Sequence, residues 1–356
     1  MNLSMNYLYK EDLSQISELR LPWEKLKGRS ILISGARGLI ASCLIDALML
    51  KNSEGLNCKI YAIGRNAESA KGRFCNYWKN PLFEFRSCDV NSPIMFDDII
   101  GRIDYVLHMA SNTHPVAYAT DPIGTIATNI IGTNNMLKFA AEHHVLRVVF
   151  VSSNEIYGEN RGDVELFDEK YCGYIDSNTV RAGYPESKRC GESLCQAYIK
   201  QQGLNIVIPR ITRSYGPTML ESDSKAISQF IKKGVNGEDI VLKSTGTQYY
   251  SYTYVCDAVS GLLTVLLNGE NSEAYNIADS KSDIMLKDLA QIVAEACGTK
   301  VVYELPDSVE KAGYSTATKA RLNGDKVRKL GWEMRYDIKS GICRTIEILK
   351  SIYSWN

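Results

Sequence analysis

The chain has 356 residues, of which 45% are hydrophobic and 23% charged, with 41 Lys and Arg against 41 Asp and Glu. This balance excludes a bulk electrostatic attraction to nucleic acid or to an anionic membrane, so any bound phosphate must be held by a local site. The length suggests about two domains. No apolar run suits a signal peptide or a membrane span, which predicts a cytoplasmic protein.

The ten cysteines and four histidines show no metal-binding pattern. No two cysteines form a C-x-x-C pair, the closest being Cys190 and Cys195, and most lie in apolar or helical stretches. We therefore expect reduced, buried thiols rather than disulfides or metal ligands. No pair of histidines has helical spacing, so a zinc site is not expected.

Short apolar runs alternate with longer segments of helical periodicity along the first part of the chain. The predicted strands are 30–34, 59–63, 83–86, 105–109, 148–152 and 205–208, and the predicted helices are 40–50, 122–144 and 185–201. This alternation indicates βαβ units on a parallel sheet, hence the α/β class. The alternation loosens afterwards, with helices predicted at 286–297 and 341–353, which indicates a smaller second lobe.

The first chemical signal is the glycine-rich turn after the first predicted strand. Residues 31–41 read ILISGARGLIA, a strand followed by G-x-x-G-x-x-A and then a helix. Glycine lets the backbone approach a pyrophosphate, which the N–H groups at the helix N-terminus then bind. The candidate cofactor-binding residues of this segment are Gly35, Arg37, Gly38, Leu39 and Ile40.

Other strand ends supply further candidate residues for the dinucleotide. No acid follows the second strand, where Arg65 stands. An arginine there favours the 2′-phosphate of NADP, or it simply flanks the adenine of NAD, and both remain open. Asp89 and Val90 follow the third strand, where an acid suits the adenine amino group. Ala110 and Ser111 follow the fourth and let the backbone lie against the dinucleotide.

The second chemical signal combines Ser153 with a Tyr184-x-x-x-Lys188 spacing. Residues four apart share a face of a helix, so the lysine ammonium is expected near the phenol. Together with a positive nicotinamide ring, that ammonium would shift the tyrosine pKa toward neutrality. Tyr184 could then take a hydroxyl proton as hydride leaves the same carbon, while Ser153 hydrogen-bonds the oxygen.

These motifs resemble the extended short-chain dehydrogenase/reductases of the epimerase/dehydratase family, from residue 31 to about 332. The resemblance rests also on NIIGT at 129–133, the segment 210–217, YVCD at 254–257 and KLGW at 329–332. It implies a Rossmann-type doubly wound parallel sheet in residues 1–208. It also implies a nucleotide-sugar-binding lobe in 209–356, with about 250–270 returning to the first domain. A homodimer and an NAD that is reduced and reoxidised within one cycle are implied as well.

Within that family, Glu155 is the informative position. The resemblance implies a small or hydroxyl residue there in simple 4-epimerases, and glutamate in 4,6-dehydratases and UDP-glucuronate decarboxylases. A ketone at C4 of the sugar acidifies the C5 proton, which a carboxylate can remove. Glu155 is therefore a candidate catalytic base, alongside the alternative that it only positions a sugar hydroxyl.

Three residues depart from the pattern that the resemblance implies, and we take them as candidate substrate-binding residues. Asn154 stands where dehydratases have an aspartate, and an amide cannot donate the proton that a leaving hydroxyl needs. Tyr250 stands where decarboxylases have an active-site arginine, and Arg213 where relatives mostly have asparagine. We hypothesise that Arg213 has taken over the contact with a diphosphate or sugar carboxylate, the alternative being a surface arginine on a loop.

Three functions follow from these patterns, with a nucleotide-diphosphate sugar as partner and no role for nucleic acid or membrane. The preferred function is a 4,6-dehydratase-type reaction through a 4-keto sugar. The alternatives are a decarboxylase or 4-epimerase on the same scaffold, and a non-catalytic nucleotide-sensing protein. The complete set of Ser153, Tyr184 and Lys188 argues against the last, since a sensor does not need it.

Overall fold

The computed structural model describes residues 3–94, 102–113, 115–304 and 318–353. Its central feature is a sheet of eight described strands, all of whose pairings are parallel. The strands are β1 Ser30–Ser34, β2 Lys59–Gly64, β3 Phe83–Ser87, β4 Tyr105–His108, β5 Arg147–Phe150, β6 Ser152–Ser153, β7 Ile206–Ile211 and β11 Ala274–Ile277. The order is β3-β2-β1-β4-β5-β7-β11, with β6 also pairing with β7.

Helices cover both faces of this sheet. The helices of the described chain are α1 Tyr7–Ser17, α2 Leu39–Ser53, α3 Ala67–Arg73, α4 Pro115–Thr120, α5 Pro122–Glu142, α6 Gly183–Gln202, α7 Ala226–Val235, α8 Val255–Asn268, α9 Leu286–Cys297, α10 Asp325–Arg328 and α11 Ile338–Tyr353. Of these, α7, α9 and α11 pack with the smaller sheets of the second lobe. Successive residues of a strand point to opposite faces. Ile31 and Ile33 accordingly share a core with α2 and α8, and Leu32 shares one with α5. This is the doubly wound arrangement, and the predicted fold class is confirmed.

Smaller sheets form the second lobe. Strands β8 Arg213–Tyr215, β10 Tyr249–Tyr254, β12 Asp283–Met285 and β14 Lys319–Ala320 form one sheet, and β9 Ile240–Leu242 pairs with β13 Val301–Tyr303. The expected domain boundary at residue 208 falls inside β7. Helix α8 and strand β11, at residues 255–277, pack with the main sheet, so the chain leaves that sheet after β7 and returns to it.

Helix α1 connects the two ends of the chain through a buried carboxylate. Asp12 is fully buried and accepts hydrogen bonds from the hydroxyls of Tyr254 and Tyr336 at 2.6 and 2.9 Å. It also accepts one from Nε of Arg344, on α11, at 2.7 Å. Burial raises the pKa of Asp12, and these three donors lower it. The first helix is thus bound to the last.

The ten cysteines are free thiols. The expectation that they are buried fails for Cys75, Cys172 and Cys343, which are exposed. Cys75 lies in a turn, Cys172 in a loop and Cys343 on an outward face of α11. Within the described residues, no helix is both long and apolar enough to cross a membrane. The same residues contain no cluster of His, Cys, Asp or Glu arranged to hold a metal ion.

Candidate active site

A cleft of about 500 Å³ opens at the carboxyl ends of the parallel strands. It lies where the strand order reverses between β1 and β4, the position at which open α/β sheets bind ligands. The predicted cofactor-binding and catalytic residues line it together. They are Gly35, Arg37, Gly38, Leu39, Ile40, Arg65, Asp89, Val90, Ala110, Ser111, Ser153, Glu155, Tyr184 and Lys188. Asn154 and Arg213 line it too, whereas Tyr250 lies behind Arg213.

The turn between β1 and α2 has the geometry that a dinucleotide pyrophosphate requires. Gly35 has φ of +68°, and a Cβ atom there would lie 2.8 Å from the backbone of Ala110. Gly38 begins α2 without a side-chain cap, so the first N–H groups of the helix are left for a ligand. These features of the described chain fit NAD.

A chain of neutral hydrogen bonds lies beneath this turn. The hydroxyl oxygen of Ser34 accepts from the backbone N–H groups of Met109 and Ala110 at 3.0 and 3.2 Å. It donates to Nδ1 of His108 at 2.8 Å, and Nε2 of His108 then donates to the Thr133 hydroxyl at 3.1 Å. Burial, helped by the charge of Lys188, lowers the pKa of His108 to about 3, so this imidazole is neutral.

Asn129 connects the same region to the helix that carries the tyrosine. Its Oδ1 accepts from the Ser111 hydroxyl at 2.7 Å, and its Nδ2 donates to the Ser187 hydroxyl at 2.9 Å. Ser187 in turn donates to the backbone carbonyl of Tyr184 at 2.8 Å. These hydrogen bonds therefore fix the position of the start of α6, which carries Tyr184, relative to the dinucleotide side of the cleft.

Tyr184 is buried at the inner end of the cleft. Its ring stacks on that of Tyr118, with centroids 4.7 Å apart. Burial raises its pKa to about 12, while a hydrogen bond with Ser153 lowers it. The Ser153 oxygen also accepts from the backbone N–H of Glu155 at 3.2 Å. The side chains of Ser153 and Tyr184 are thus in hydrogen-bond contact.

Lys188 lies on the same helix, but its contacts differ from the sequence expectation. Its ammonium donates to the carbonyl of Val151 at 2.9 Å and lies 5.1 Å from the centre of the Phe150 ring. Burial lowers its pKa to about 8. The pKa of Tyr184 is therefore above its ordinary value rather than shifted toward neutrality. Burial of the phenol raises this pKa by more than the neighbouring side chains lower it.

Arg181 is a site residue that the sequence argument missed. Its guanidinium forms an ion pair with Glu155, and both side chains are largely buried, at 12% and 18% exposure. The guanidinium also lies 4.9 Å from the centre of the Tyr118 ring. Arg181 precedes Tyr184 by three residues. A buried carboxylate needs a cation as its partner, and a search for a partner of Glu155 could have identified Arg181 from the sequence.

The three residues that depart from the family pattern form one cluster. The guanidinium of Arg213 lies 3.6 Å from the centre of the Tyr250 ring. The neighbours of Asn154 assign its amide oxygen to the side facing Arg213, because only then are both of its polar atoms satisfied. In this orientation the oxygen accepts from Nη1 of Arg213 at 2.8 Å and the nitrogen donates to the Ile211 carbonyl at 3.3 Å. Asn154, Glu155, Arg181 and Arg213 also line an adjoining cavity of about 250 Å³.

The comparisons with known proteins agree with this geometry. Residues 31–278 match the model of the NAD dependent epimerase/dehydratase family. UDP-glucuronic acid decarboxylase 5 of Arabidopsis thaliana is 32% identical over 88% of this chain and 86% of its own length. UDP-glucuronic acid decarboxylase 1 of Xenopus tropicalis is 30% identical over 90% and 72%, respectively.

Solved structures share the fold at lower identity. The dTDP-glucose 4,6-dehydratase of Streptomyces venezuelae, solved as a double mutant with NAD, has a TM-score of 0.79 at 22% identity, covering 91% of this chain and 98% of that one. The UDP-glucuronic acid 4-epimerase of Bacillus cereus, with UDP-glucuronic acid and NAD, has a TM-score of 0.78 at 23% identity, covering 91% and 100%.

The chain belongs to the NAD-dependent epimerase/dehydratase family and is an NAD-dependent enzyme. The resemblance stated from its motifs is thereby confirmed. The family description names NAD, which favours that cofactor over the NADP that Arg65 left open.

Proposed function

We propose that this enzyme oxidises a nucleotide-diphosphate sugar at C4 with bound NAD and then releases the C6 carboxylate of a uronic acid as carbon dioxide. The observation that carries the proposal is the meeting of Ser153, Tyr184 and Glu155 at the inner end of the dinucleotide cleft. The chemistry follows from what each of these groups can donate or accept.

The first step forms a ketone at C4. Bound NAD supplies a hydride acceptor whose ring is positively charged. The Ser153 hydroxyl orients the C4 oxygen, and the Tyr184 phenolate takes the proton of the C4 hydroxyl as the C4 hydrogen leaves as hydride. Lys188 adds a buried ammonium near this reaction. That charge diminishes as the pH rises through about 8.

Carbon dioxide loss needs no acid for a leaving group. A C4 ketone stands β to the C6 carboxylate of a uronic acid, so the C5–C6 bond can break with its electron pair moving into the ketone. A proton from water then enters at C5 and hydride returns to C4. Asn154, adjacent to Ser153, is an amide with no acidic proton, and the Glu155 carboxylate is held in an ion pair with Arg181. The site thus suits this step better than release of water.

Dehydration is the second candidate, and the position of Glu155 favours it. An ionised carboxylate at this end of the cleft could take the C5 proton from the 4-keto sugar. The C6 hydroxyl would then leave as water, but it would require a proton from a group other than Asn154. Dehydration was the function preferred from the sequence, with Glu155 as its candidate base.

A nucleotide-sugar panel separates these reactions. The purified protein is incubated with UDP-glucuronic acid, UDP-glucose and dTDP-glucose, and the product masses are measured. Loss of carbon dioxide from UDP-glucuronic acid supports the proposal, and loss of water from a hexose supports the second candidate. Unchanged mass with altered stereochemistry would make the enzyme an epimerase. If no sugar is converted and no bound NAD is reduced, C4 oxidation is wrong.

We also propose a homodimer through α5 and its surroundings. Ile123, Ile126 and Ile131 of α5 are 82%, 38% and 49% exposed. Val116 and Val180, in the neighbouring segments 115–120 and 180–182 that pack together, are also exposed. Apolar groups on one surface are typical of an interface. Light scattering on the wild type should give a dimer mass, and Ile123→Glu should shift the mass toward a monomer.

A further inference from the structure

Arg213 differs from Arg181 in lacking a carboxylate partner. Within the described residues, no Asp or Glu forms an ion pair with it, whereas Arg181 is paired with Glu155. Its neighbours are neutral: the Tyr250 ring at 3.6 Å and the Asn154 amide oxygen at 2.8 Å. Burial raises the pKa of Tyr250, so its phenol carries no charge to balance the guanidinium.

The surrounding structure fixes the orientation of this guanidinium. In the parallel pairing of β8 with β10, Arg213 stands opposite Tyr252, and Tyr250 lies two residues earlier on the same face of β10. Tyr250 is only 6% exposed and forms a rigid platform. A half-buried charge that is oriented by neutral groups and open to a cavity is suited to bind an anion.

The position of Arg213 indicates which part of the substrate supplies that anion. Arg213 contacts Asn154, which is adjacent in the chain to Ser153, and Ser153 contacts the reacting phenol of Tyr184. It borders both the main cleft and the adjoining cavity beside Glu155. An anion bound there is next to the sugar ring that is oxidised, whereas a diphosphate lies farther along a nucleotide sugar.

We propose that Arg213, supported by the Tyr250 ring and oriented by Asn154, binds the carboxylate of the sugar itself and selects uronic acid substrates. This inference rests on the proposed function, because it assumes a nucleotide sugar with its reacting end at Tyr184. It assigns recognition of the carboxylate to β8.

Binding without turnover tests the inference independently of the reaction. In a Tyr184→Phe background loaded with NAD, dissociation constants for UDP-glucuronic acid, UDP-glucose and UDP are measured by calorimetry with and without Arg213→Ala. We expect about 10- to 100-fold weaker binding of UDP-glucuronic acid, from the loss of charge-assisted hydrogen bonds. The affinities for UDP-glucose and UDP should be unchanged.

The chain offers a matched control for this substitution. Arg321 also lies over a tyrosine, with its guanidinium 4.5 Å from the Tyr249 ring, but it is paired with Glu165 at 3.0 Å. Arg321→Ala should leave all three affinities unchanged. Tyr250→Phe keeps the ring and should retain the affinity for UDP-glucuronic acid, whereas Tyr250→Leu should weaken it about fivefold.

Two results would overturn the inference. If Arg213→Ala weakens UDP and UDP-glucuronic acid equally, the arginine contacts the diphosphate. If Arg213→Ala changes none of the three affinities, Arg213 does not bind an anion of the substrate. Both results are separate from a failure of the proposed function, because an enzyme that converts no sugar in the panel can still discriminate UDP-glucuronic acid from UDP-glucose in binding.

Discussion

The two ends of the cleft are built from different kinds of polar contact. Beneath the dinucleotide turn, Ser34, His108 and Thr133 form neutral hydrogen bonds. At the inner end, one cavity is lined by the ion pair of Arg181 with Glu155 and by Arg213, which has no carboxylate partner among the described residues. Neutral contacts hold one backbone geometry over a wide pH range, which suits a cofactor that stays bound. Charges discriminate between ligands, which suits substrate selection.

Tyr184 stands at the junction of the two ends, so its hydroxyl should carry the largest single effect. Tyr184→Phe removes the proton acceptor while keeping the ring stacked on Tyr118. We expect a loss of about 10³-fold in kcat, measured by product formation, with NAD binding retained. Tyr198→Phe on the same helix, whose hydroxyl only donates to Asn134 at 3.0 Å, is the control. An active Tyr184→Phe enzyme would refute the mechanism.

The two arginines of the charged end should separate stability from binding. Arg181→Gln removes the ion-pair partner of the largely buried Glu155 carboxylate, so we expect a loss of about 2 kcal/mol in the free energy of unfolding. Arg213→Ala removes a charge with no carboxylate partner among the described residues and should change that free energy far less. The apparent Tm of each variant, measured against that of the wild type, tests this difference in stability.

A double variant sharpens the assignment of Arg181. Glu155→Gln together with Arg181→Gln removes both charges, so most of the lost stability should return while activity stays low. If Arg181→Gln alone is as stable as the wild type, the ion pair contributes nothing to the fold. The contrast between the two arginines would then be wrong.

The neutral hydrogen bonds beneath the dinucleotide turn, formed by Ser34, His108 and Thr133, should have a smaller effect on stability, and this effect should depend on pH. The pKa of His108 is lowered to about 3 in the folded protein, so below its ordinary value of about 6.5 the unfolded chain binds a proton that the folded chain does not. The free energy of unfolding therefore falls as the pH falls from 6.5 toward 3, by roughly 1 kcal/mol per pH unit. The His108→Gln variant should have a lower Tm than the wild type at pH 7. Its Tm should fall by less than that of the wild type between pH 7 and pH 5. Equal slopes would show that the imidazole does not resist protonation.

The main sheet was predictable because strands buried on both faces appear as short apolar runs. Strand β1 was predicted to the residue, and β2 and β3 to within one. The glycine turn and the Tyr184-x-x-x-Lys188 spacing are local in sequence, so the dinucleotide cleft could be anticipated. The end of the predicted strand 205–208 was less accurate, because β7 continues to Ile211 without any change in residue character.

The charged end could be predicted only in part. Glu155 and Arg181 are 26 residues apart, separated by a segment with no periodic pattern, so their pairing arises from how that segment folds. The contact of Arg213 with Tyr250 depends on the parallel pairing of β8 and β10, which no local pattern indicates. The hypothesis singled out Arg213 by its identity, and the structure adds the tyrosine that supports it.

The hydrogen bonds of Asp12 have a consequence for synthesis of the protein. Helix α1 is translated long before Arg344, which lies 332 residues later in the chain than Asp12. An isolated helix of 11 residues is marginal in water, so α1 depends on packing partners to hold its form. Its hydrogen bonds with Arg344 and Tyr336 can form only after the end of the chain has been translated. The contacts that bind α1 to α11 therefore form late.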